Sequence, residues 1–148
     1  MTLLDSLNKR LIFLQELCTQ LEIKAEFLHD RAEQAGRAPA LRERFDVVTA
    51  RAVAALPVLC EYCLPFAKVG GVFIAMKGPD ITQELEAAAP VILALGGGAP
   101  SLIRLRLPVN PAQGEIPLER CLVMIKKERP TPAKYPRAGG KIGKGVPS

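Results

Sequence analysis

Short apolar runs alternate with helical stretches along most of this 148-residue chain, and that alternation limits the folds it can adopt. The strand candidates are residues 3–4, 25–29, 45–49, 72–76, 101–107 and 120–125. Strands separated by helices imply right-handed crossovers and a parallel sheet. Only a loop containing proline and glycine separates the last two candidates, so we expect them to pair antiparallel. The pattern predicts an α/β fold with a mostly parallel sheet and a C-terminal antiparallel hairpin.

Helix and turn signals define the segments between these strands. The most regular helix repeats its apolar side chains about every 3.6 residues, at Leu7, Leu11, Leu14, Leu17, Cys18 and Leu21. Further helices are predicted from Pro57 to a stop before Pro65 and over residues 81–95, with one or two helical turns in the polar stretch before residue 45. Gly70-Gly71 predicts a break in the chain, followed by a strand covered on both faces over residues 72–76.

The composition is that of a single soluble domain. Hydrophobic residues make up 49% of the chain, which excludes disorder throughout. No stretch reaches the roughly 18 uncharged apolar residues of a membrane-spanning helix. The N-terminus lacks the basic region and long apolar run of a secretory signal, so we expect a cytoplasmic protein.

The positive charge is concentrated at the C-terminal end. Residues 126–148 hold seven basic side chains and one acidic one, within a chain of net charge +5. Four prolines and four glycines in residues 127–148 predict a basic tail that does not order itself, beyond a core of residues 1–126. A tail that only keeps the protein soluble is the alternative. The side chains suited to an RNA backbone are Lys134, Tyr135, Arg137, Lys141 and Lys144, with the tyrosine available to stack on a base.

The cysteines are predicted to be small core residues. Cys60 and Cys63 have the CxxC spacing of a redox or zinc site. However, no second CxxC follows, and the only histidine, His29, ends a different apolar run. We therefore expect reduced thiols and no metal site.

Ligands bind at the carboxyl ends of strands in open α/β sheets, which directs attention to Asp5, Asp30 to Glu33, Arg51 and Lys77. Asp5 follows the first strand, where its carboxylate accepts hydrogen bonds either from a ribose diol or from the start of the next helix. Ala32 and Glu33 follow the second strand, in a segment that meets an adenine edge or is an ordinary loop. Arg51 follows the third strand and either faces a ligand or pairs with a nearby carboxylate, Asp46 or Glu33.

Four segments resemble bacterial small-subunit ribosomal RNA guanine-N7 methyltransferases, the glucose-inhibited division protein B family. They are Leu-Leu-Asp-Ser-Leu-Asn-Lys-Arg at 3–10, Arg-Ala-Glu at 31–33, Val-Thr-Ala-Arg-Ala-Val-Ala at 48–54 and Arg-Pro-Thr-Pro-Ala-Lys-Tyr-Pro-Arg at 129–137. The resemblance implies a Rossmann-like class I methyltransferase sheet, S-adenosylmethionine as cofactor, and 16S ribosomal RNA or the 30S subunit as partner. By it, Ala32, Glu33 and Arg51 contact the cofactor, Asp5 binds the ribose, and the tail contacts RNA.

The expected reaction needs alignment more than acid-base chemistry. Guanine N7 attacks with a lone pair and has no proton to lose, so methyl transfer is an in-line displacement that depends on positioning and electrostatics. The sequence therefore identifies no catalytic base. Arg51 is expected to help orient the guanine.

The resemblance also implies missing parts. Family members carry an N-terminal helical region, a first strand and a glycine-rich turn ahead of the strand that ends at Asp5. That missing strand would lie between the strands ending at Asp5 and Thr49, and each unsatisfied buried backbone group costs about 1 to 3 kcal/mol. We expect a truncated or split enzyme with a crippled cofactor site. Without the missing segment, the chain would pair the strands ending at Asp5 and Thr49 directly, or it would aggregate, or it would need that segment in order to fold.

Two functions of different classes therefore compete. One is an RNA methyltransferase, whole or incomplete; the other is a non-catalytic RNA-binding remnant that uses the core as a scaffold. A nicotinamide-dependent enzyme is disfavoured, since no GxGxxG follows a strand.

Overall fold

The structure is a computed structural model that describes residues 1–51, 54–108 and 118–143. Its elements are β1 (Thr2–Asp5), α1 (Asn8–Gln20), β2 (Glu26–His29), α2 (Ala32–Ala35), β3 (Phe45–Arg51), α3 (Leu56–Cys63), β4 (Ala67–Lys77), α4 (Thr82–Ala94), β5 (Ser101–Leu107) and β6 (Leu118–Lys126). The predicted alternation of strands and helices is confirmed. Among the described helices, none is long and apolar enough to span a bilayer.

The strands form two sheets. In the first, β1 and β2 pair in parallel, with Asp5 opposite His29. The second has the order β3-β4-β6-β5, in which β3 is parallel to β4 and the other two pairs are antiparallel. The α/β class, with its C-terminal antiparallel hairpin, is confirmed. Of the outcomes expected for the gap, direct pairing of β1 with β3 is not formed.

The main core lies on one face of the second sheet. Phe73 and Ala75 of β4 and Val123 and Ile125 of β6 have no exposed surface, because alternate residues of a strand point to the same face and α3 and α4 pack there. Truncation of such a residue, as in Phe73→Ala, costs about 3 to 5 kcal/mol. This cluster holds the sheet and the two helices together.

The opposite face of the second sheet is largely open. Met76 is 40% exposed and Val47 is 54% exposed, and strand register places both on the side away from Phe73. α3 and α4 already bury the face of β4 that carries Phe73. The apolar sequence of β4 therefore does not require that its other face is buried as well. The prediction that residues 72–76 are covered on both faces is therefore wrong.

Gly70 and Gly71 lie inside β4 and do not break the chain before it. Gly70 has φ of +87°, a left-handed conformation that favours glycine, and its N–H donates to the carbonyl of Lys127 at 2.8 Å. A Cβ on Gly71 would lie 2.8 Å from the carbonyl oxygen of Asp46. The glycines permit an irregular approach of β3 to β4, so the predicted break is wrong.

Residues 127–143 fold back onto the core. Arg42 donates to the carbonyls of Thr131 at 2.6 Å and Tyr135 at 2.8 Å. The fully buried Lys127 ammonium donates to Glu43 Oε1 at 3.0 Å. The prediction of a tail that does not order itself is wrong for these residues, because charged side chains elsewhere in the chain satisfy its polar groups. They belong to the same folded unit as the core.

Candidate functional site

Asp5 ends β1 and ties this strand to α1. Its Oδ1 accepts the N–H of Leu7 at 2.8 Å, and its Oδ2 lies 3.3 Å from the Arg10 guanidinium. The structure thus shows the helix-start contact that the sequence left as one alternative. Arg10 is 66% exposed, so its ion pair with Asp5 contributes little to stability. A ribose contact by the same carboxylate stays a prediction.

The turn that carries Ala32 and Glu33 lies next to Asp5. The N–H of Asp30 donates to the carbonyl of Asp5 at 3.3 Å, which joins the ends of β1 and β2. Ala32 and Glu33 then open the single turn of α2, where the first N–H groups of a helix have no partner inside it. The Glu33 side chain is only 11% exposed and lies 3.9 Å from Arg31.

Tyr62 of α3 is near this acidic turn, and sequence reasoning did not identify it as a site residue. Burial raises the pKa of the Tyr62 hydroxyl, and the negative charges of Glu33 and Glu61 raise it further. This effect depends on packing between α2 and α3, elements that contact each other across the chain. The sequence contains no local signal for such an approach.

Arg51 ends β3 and is exposed. The ion pairs considered from sequence are not formed: Asp46 pairs with Lys68, and Glu33 lies near Arg31. In the described part of the chain, Arg51 has no ion-pair partner. It lies in the second sheet and Asp5 in the first, so the expectation that one shared sheet carries both is wrong.

Lys77, at the end of β4, has a structural role. Its ammonium lies 2.7 Å from Glu84 Oε2 and donates to the carbonyl of Ala54 at 3.0 Å. The same Glu84 oxygen accepts the N–H of Leu56 at 2.6 Å. The pair therefore links β4 and α4 to the start of α3.

The predicted RNA-contacting residues differ in accessibility. Tyr135 is only 2% exposed, so its expected availability for base stacking is wrong. Arg137 donates to the buried Glu61 carboxylate at 2.7 Å, and this hydrogen bond raises the pKa of Arg137. Lys134 and Lys141 are exposed. Lys144 lies outside the described residues.

A second basic cluster, which sequence reasoning missed, lies at the end of the β5–β6 hairpin. Arg104, Arg106 and Arg120 line a cavity of about 290 Å³ together with Pro79 and Glu119. Arg106 pairs with Glu119 at 3.4 Å, and Arg104 donates to the Pro79 carbonyl at 3.3 Å. The alternation of Arg104 and Arg106 with leucines in β5 was the available signal.

All four cysteines are buried free thiols, as predicted for core residues. Burial raises the pKa of Cys63 to about 12, and burial also raises the pKa of Cys60. Such thiols are poor nucleophiles and poor metal ligands near neutral pH. Within the described ranges, no group of three or more histidine, cysteine or acidic side chains is arranged to hold a metal ion.

Solved methyltransferases share this fold. An S-adenosylmethionine-dependent O-methyltransferase of Thermotoga maritima aligns with a TM-score of 0.57 at 12% identity, over 88% of this chain and 51% of that one. An rRNA methylase of Streptococcus thermophilus aligns with a TM-score of 0.51 at 19% identity, over 86% and 73%. The fold is therefore the Rossmann-like fold of class I methyltransferases, as expected.

Sequence relatives define the family. The family described as rRNA small subunit methyltransferase G (GidB) matches residues 1–103. The ribosomal RNA small subunit methyltransferase G of Oceanobacillus iheyensis is 48% identical over 140 residues, which cover 94% of this chain and 56% of the relative. That of Symbiobacterium thermophilum is 48% identical over 147 residues, covering 95% and 57%. The chain belongs to the rRNA small subunit methyltransferase G family, and it spans slightly more than half the length of these relatives.

Proposed function

We propose that this chain carries the nucleoside-binding and RNA-facing parts of an enzyme that transfers a methyl group from S-adenosylmethionine to N7 of a guanine in 16S ribosomal RNA. The observation that carries the proposal is the junction of Asp5 with the Ala32–Glu33 turn, at the carboxyl ends of two parallel strands. This is where α/β sheets bind their ligands. Membership of the family supports the choice of reaction.

The residues at this junction fit the nucleoside half of the cofactor. Asp5 offers carboxylate oxygens to a ribose diol, and the first N–H groups of α2 offer donors to an adenine edge. Arg51 supplies a cation at the end of β3, in the second sheet. The 148 residues contain no counterpart of the family's glycine-rich turn for the methionine half, so we expect the chain alone to bind the cofactor more weakly than micromolar.

The proposed methyl transfer requires few functional groups from the protein. S-adenosylmethionine, when bound, supplies its methyl group as an electrophilic sulfonium. The guanine N7 lone pair needs no general base and has to stay free to attack, so an arginine can orient the base through a hydrogen bond to O6 on the same edge. Arg51 is suited to that role because it is exposed at the end of β3.

The proposed RNA partner, the 16S RNA of the 30S subunit, is supported by exposed basic side chains. Lys134 and Lys141 are exposed in the C-terminal segment, residues 127–143. Contacts between such lysines and RNA phosphates do not depend on the RNA sequence. Tyr135 and Arg137 contribute indirectly by fixing this segment through Arg42 and Glu61.

A chimera tests the activity. In it, this chain replaces the matched 56% of the Oceanobacillus iheyensis relative. We expect radiolabelled methyl transfer to 30S subunits, a strong loss with Arg51→Gln, and little change with Arg44→Gln, an exposed arginine just before the same strand. The placement of β1 and β3 in separate sheets favours a second candidate, the non-catalytic RNA-binding remnant. RNA binding without methyl transfer by the chimera would support that candidate.

A further inference from the structure

We propose that the end of the β5–β6 hairpin is a second RNA-binding surface, at which Arg104 and Arg120 contact phosphates beside the target guanine. This inference rests on the proposed function, because it places the RNA relative to Arg51. It differs from the contacts expected of the C-terminal segment, since it uses another part of the fold.

Strand register places this surface on the same edge of the sheet as Arg51. Arg51 pairs with Met76 of β4, Lys77 pairs with Cys121 of β6, and Cys121 pairs with Arg104 of β5. Because β6 and β5 are antiparallel to their neighbours, the start of β6 and the end of β5 both lie where β3 and β4 end. The hairpin arginines therefore lie on the ligand-binding edge.

The spacing suits a short stretch of RNA. Three strand spacings of about 4.8 Å separate β3 from β5, which puts the backbones of Arg51 and Arg104 about 14 Å apart. A stacked nucleic-acid strand carries one phosphate about every 3.4 Å along its axis. A guanine at Arg51 would then have phosphates about four nucleotides away at the hairpin.

The charges of the cluster favour an anion. Glu119 pairs with Arg106, whereas Arg104 and Arg120 donate to the carbonyls of Pro79 and Glu119. In the described ranges, neither Arg104 nor Arg120 has a carboxylate partner. Their planar guanidinium groups match phosphate oxygens, and both residues line the cavity described above.

Salt-dependent RNA binding tests this proposal. The probe is a fluorescein-labelled fragment of 16S ribosomal RNA, titrated with the full chain by anisotropy at several salt concentrations. Each phosphate contact to single-stranded RNA contributes about 0.7 to the slope of log affinity against log salt. For Arg104→Gln/Arg120→Gln we expect the slope to be shallower by about 1.4, and the affinity at low salt to fall by about tenfold.

Two further double variants serve as controls for Arg104→Gln/Arg120→Gln. Lys9→Gln/Lys24→Gln removes the same charge from two exposed positions, one in α1 and one just before β2. It should change the affinity for RNA by less than about twofold. Arg104→Lys/Arg120→Lys keeps the charge and should keep the slope. Equal losses of RNA affinity in the two Gln variants, or no loss in Arg104→Gln/Arg120→Gln, would contradict this second RNA-binding surface. The proposal that the chain binds RNA would still stand. Absence of RNA binding by the unaltered chain would overturn both proposals.

Discussion

Gly139 packs directly against the carboxylate of Glu33, although 105 residues lie between them in the chain. A Cβ at Gly139 would clash with Glu33 Oε1. The C-terminal segment, residues 127–143, therefore packs against the turn that carries Ala32 and Glu33.

The first prediction concerns this contact. Gly139→Ala should displace the Glu33 carboxylate and weaken adenosine binding by about tenfold, the effect of one hydrogen bond to a charged group. Since that carboxylate is the movable end of a side chain, we expect the stability to change by less than about 0.5 kcal/mol. NMR titration with adenosine measures the affinity. Gly140→Ala is the control, because a Cβ there meets no atom within 4 Å. Equal affinities in the two variants would exclude this role for Gly139.

The buried Lys127 ammonium should be a principal anchor of the C-terminal segment. Besides Glu43, it donates to the carbonyls of Leu64 at 2.9 Å and Ala67 at 3.2 Å. Lys127→Met leaves these acceptors without their donor, so we expect a loss of about 3 kcal/mol in the free energy of unfolding. Urea denaturation measures it, with Lys126→Met at the exposed neighbouring position as control. A loss no larger than that of the control would contradict the anchor.

Glu43 should make stability depend on acid pH. Burial raises the pKa of Glu43, but hydrogen bonds from the Thr131 N–H and from Lys127, with the charge of Lys127, lower it more, so the folded pKa lies below the ordinary 4.5. A carboxylate with a depressed folded pKa stabilises the fold above its unfolded pKa, and this contribution is lost as pH falls through the folded value.

Comparison of unfolding free energies checks this sign. The advantage of the unaltered chain over Glu43→Gln should be largest at neutral pH and should shrink as pH falls below about 4.5. The exposed Glu86→Gln variant serves as control. An advantage that grows on acidification would show that the carboxylate is destabilising in the folded state.

The first sheet should open before the second. A two-stranded sheet is marginal by itself, and in α1 only Leu11 and Cys18 are buried. Amide hydrogen exchange should therefore be faster in β1, α1 and β2 than in β4 and β6, whose inward faces lie in the main core. Uniform protection across both sheets would mean that they unfold as one unit.

Local patterns predicted most of the elements, because helix periodicity and proline positions act within a few residues. The limits of α1 and β5 follow from such signals. The ordered C-terminal segment does not. Its order depends on Arg42 and Glu43, nearly ninety residues away, and composition alone does not register such partners.

The position of the candidate residues at strand ends was predictable from sequence, but their arrangement in space was not. Asp5, Ala32, Glu33 and Arg51 all lie near strand ends, as the alternating pattern requires. Arg51 lies in the second sheet because of the way the strands pair. Strand pairing depends on contacts between residues that are distant in the sequence, which local patterns do not reveal. The hairpin arginines were missed because charged residues in an edge strand are common for other reasons.

The most direct test of the account is an NMR titration of the chain with S-adenosylmethionine. We expect weak binding, with amide shifts concentrated at Asp5, Ala32, Glu33 and Arg51, and the same set of shifts with adenosine. Arg51→Gln should reduce the affinity, whereas Arg44→Gln should not. Absence of shifts at these positions, or shifts concentrated elsewhere, would contradict the claim that this edge of the fold holds the cofactor's nucleoside.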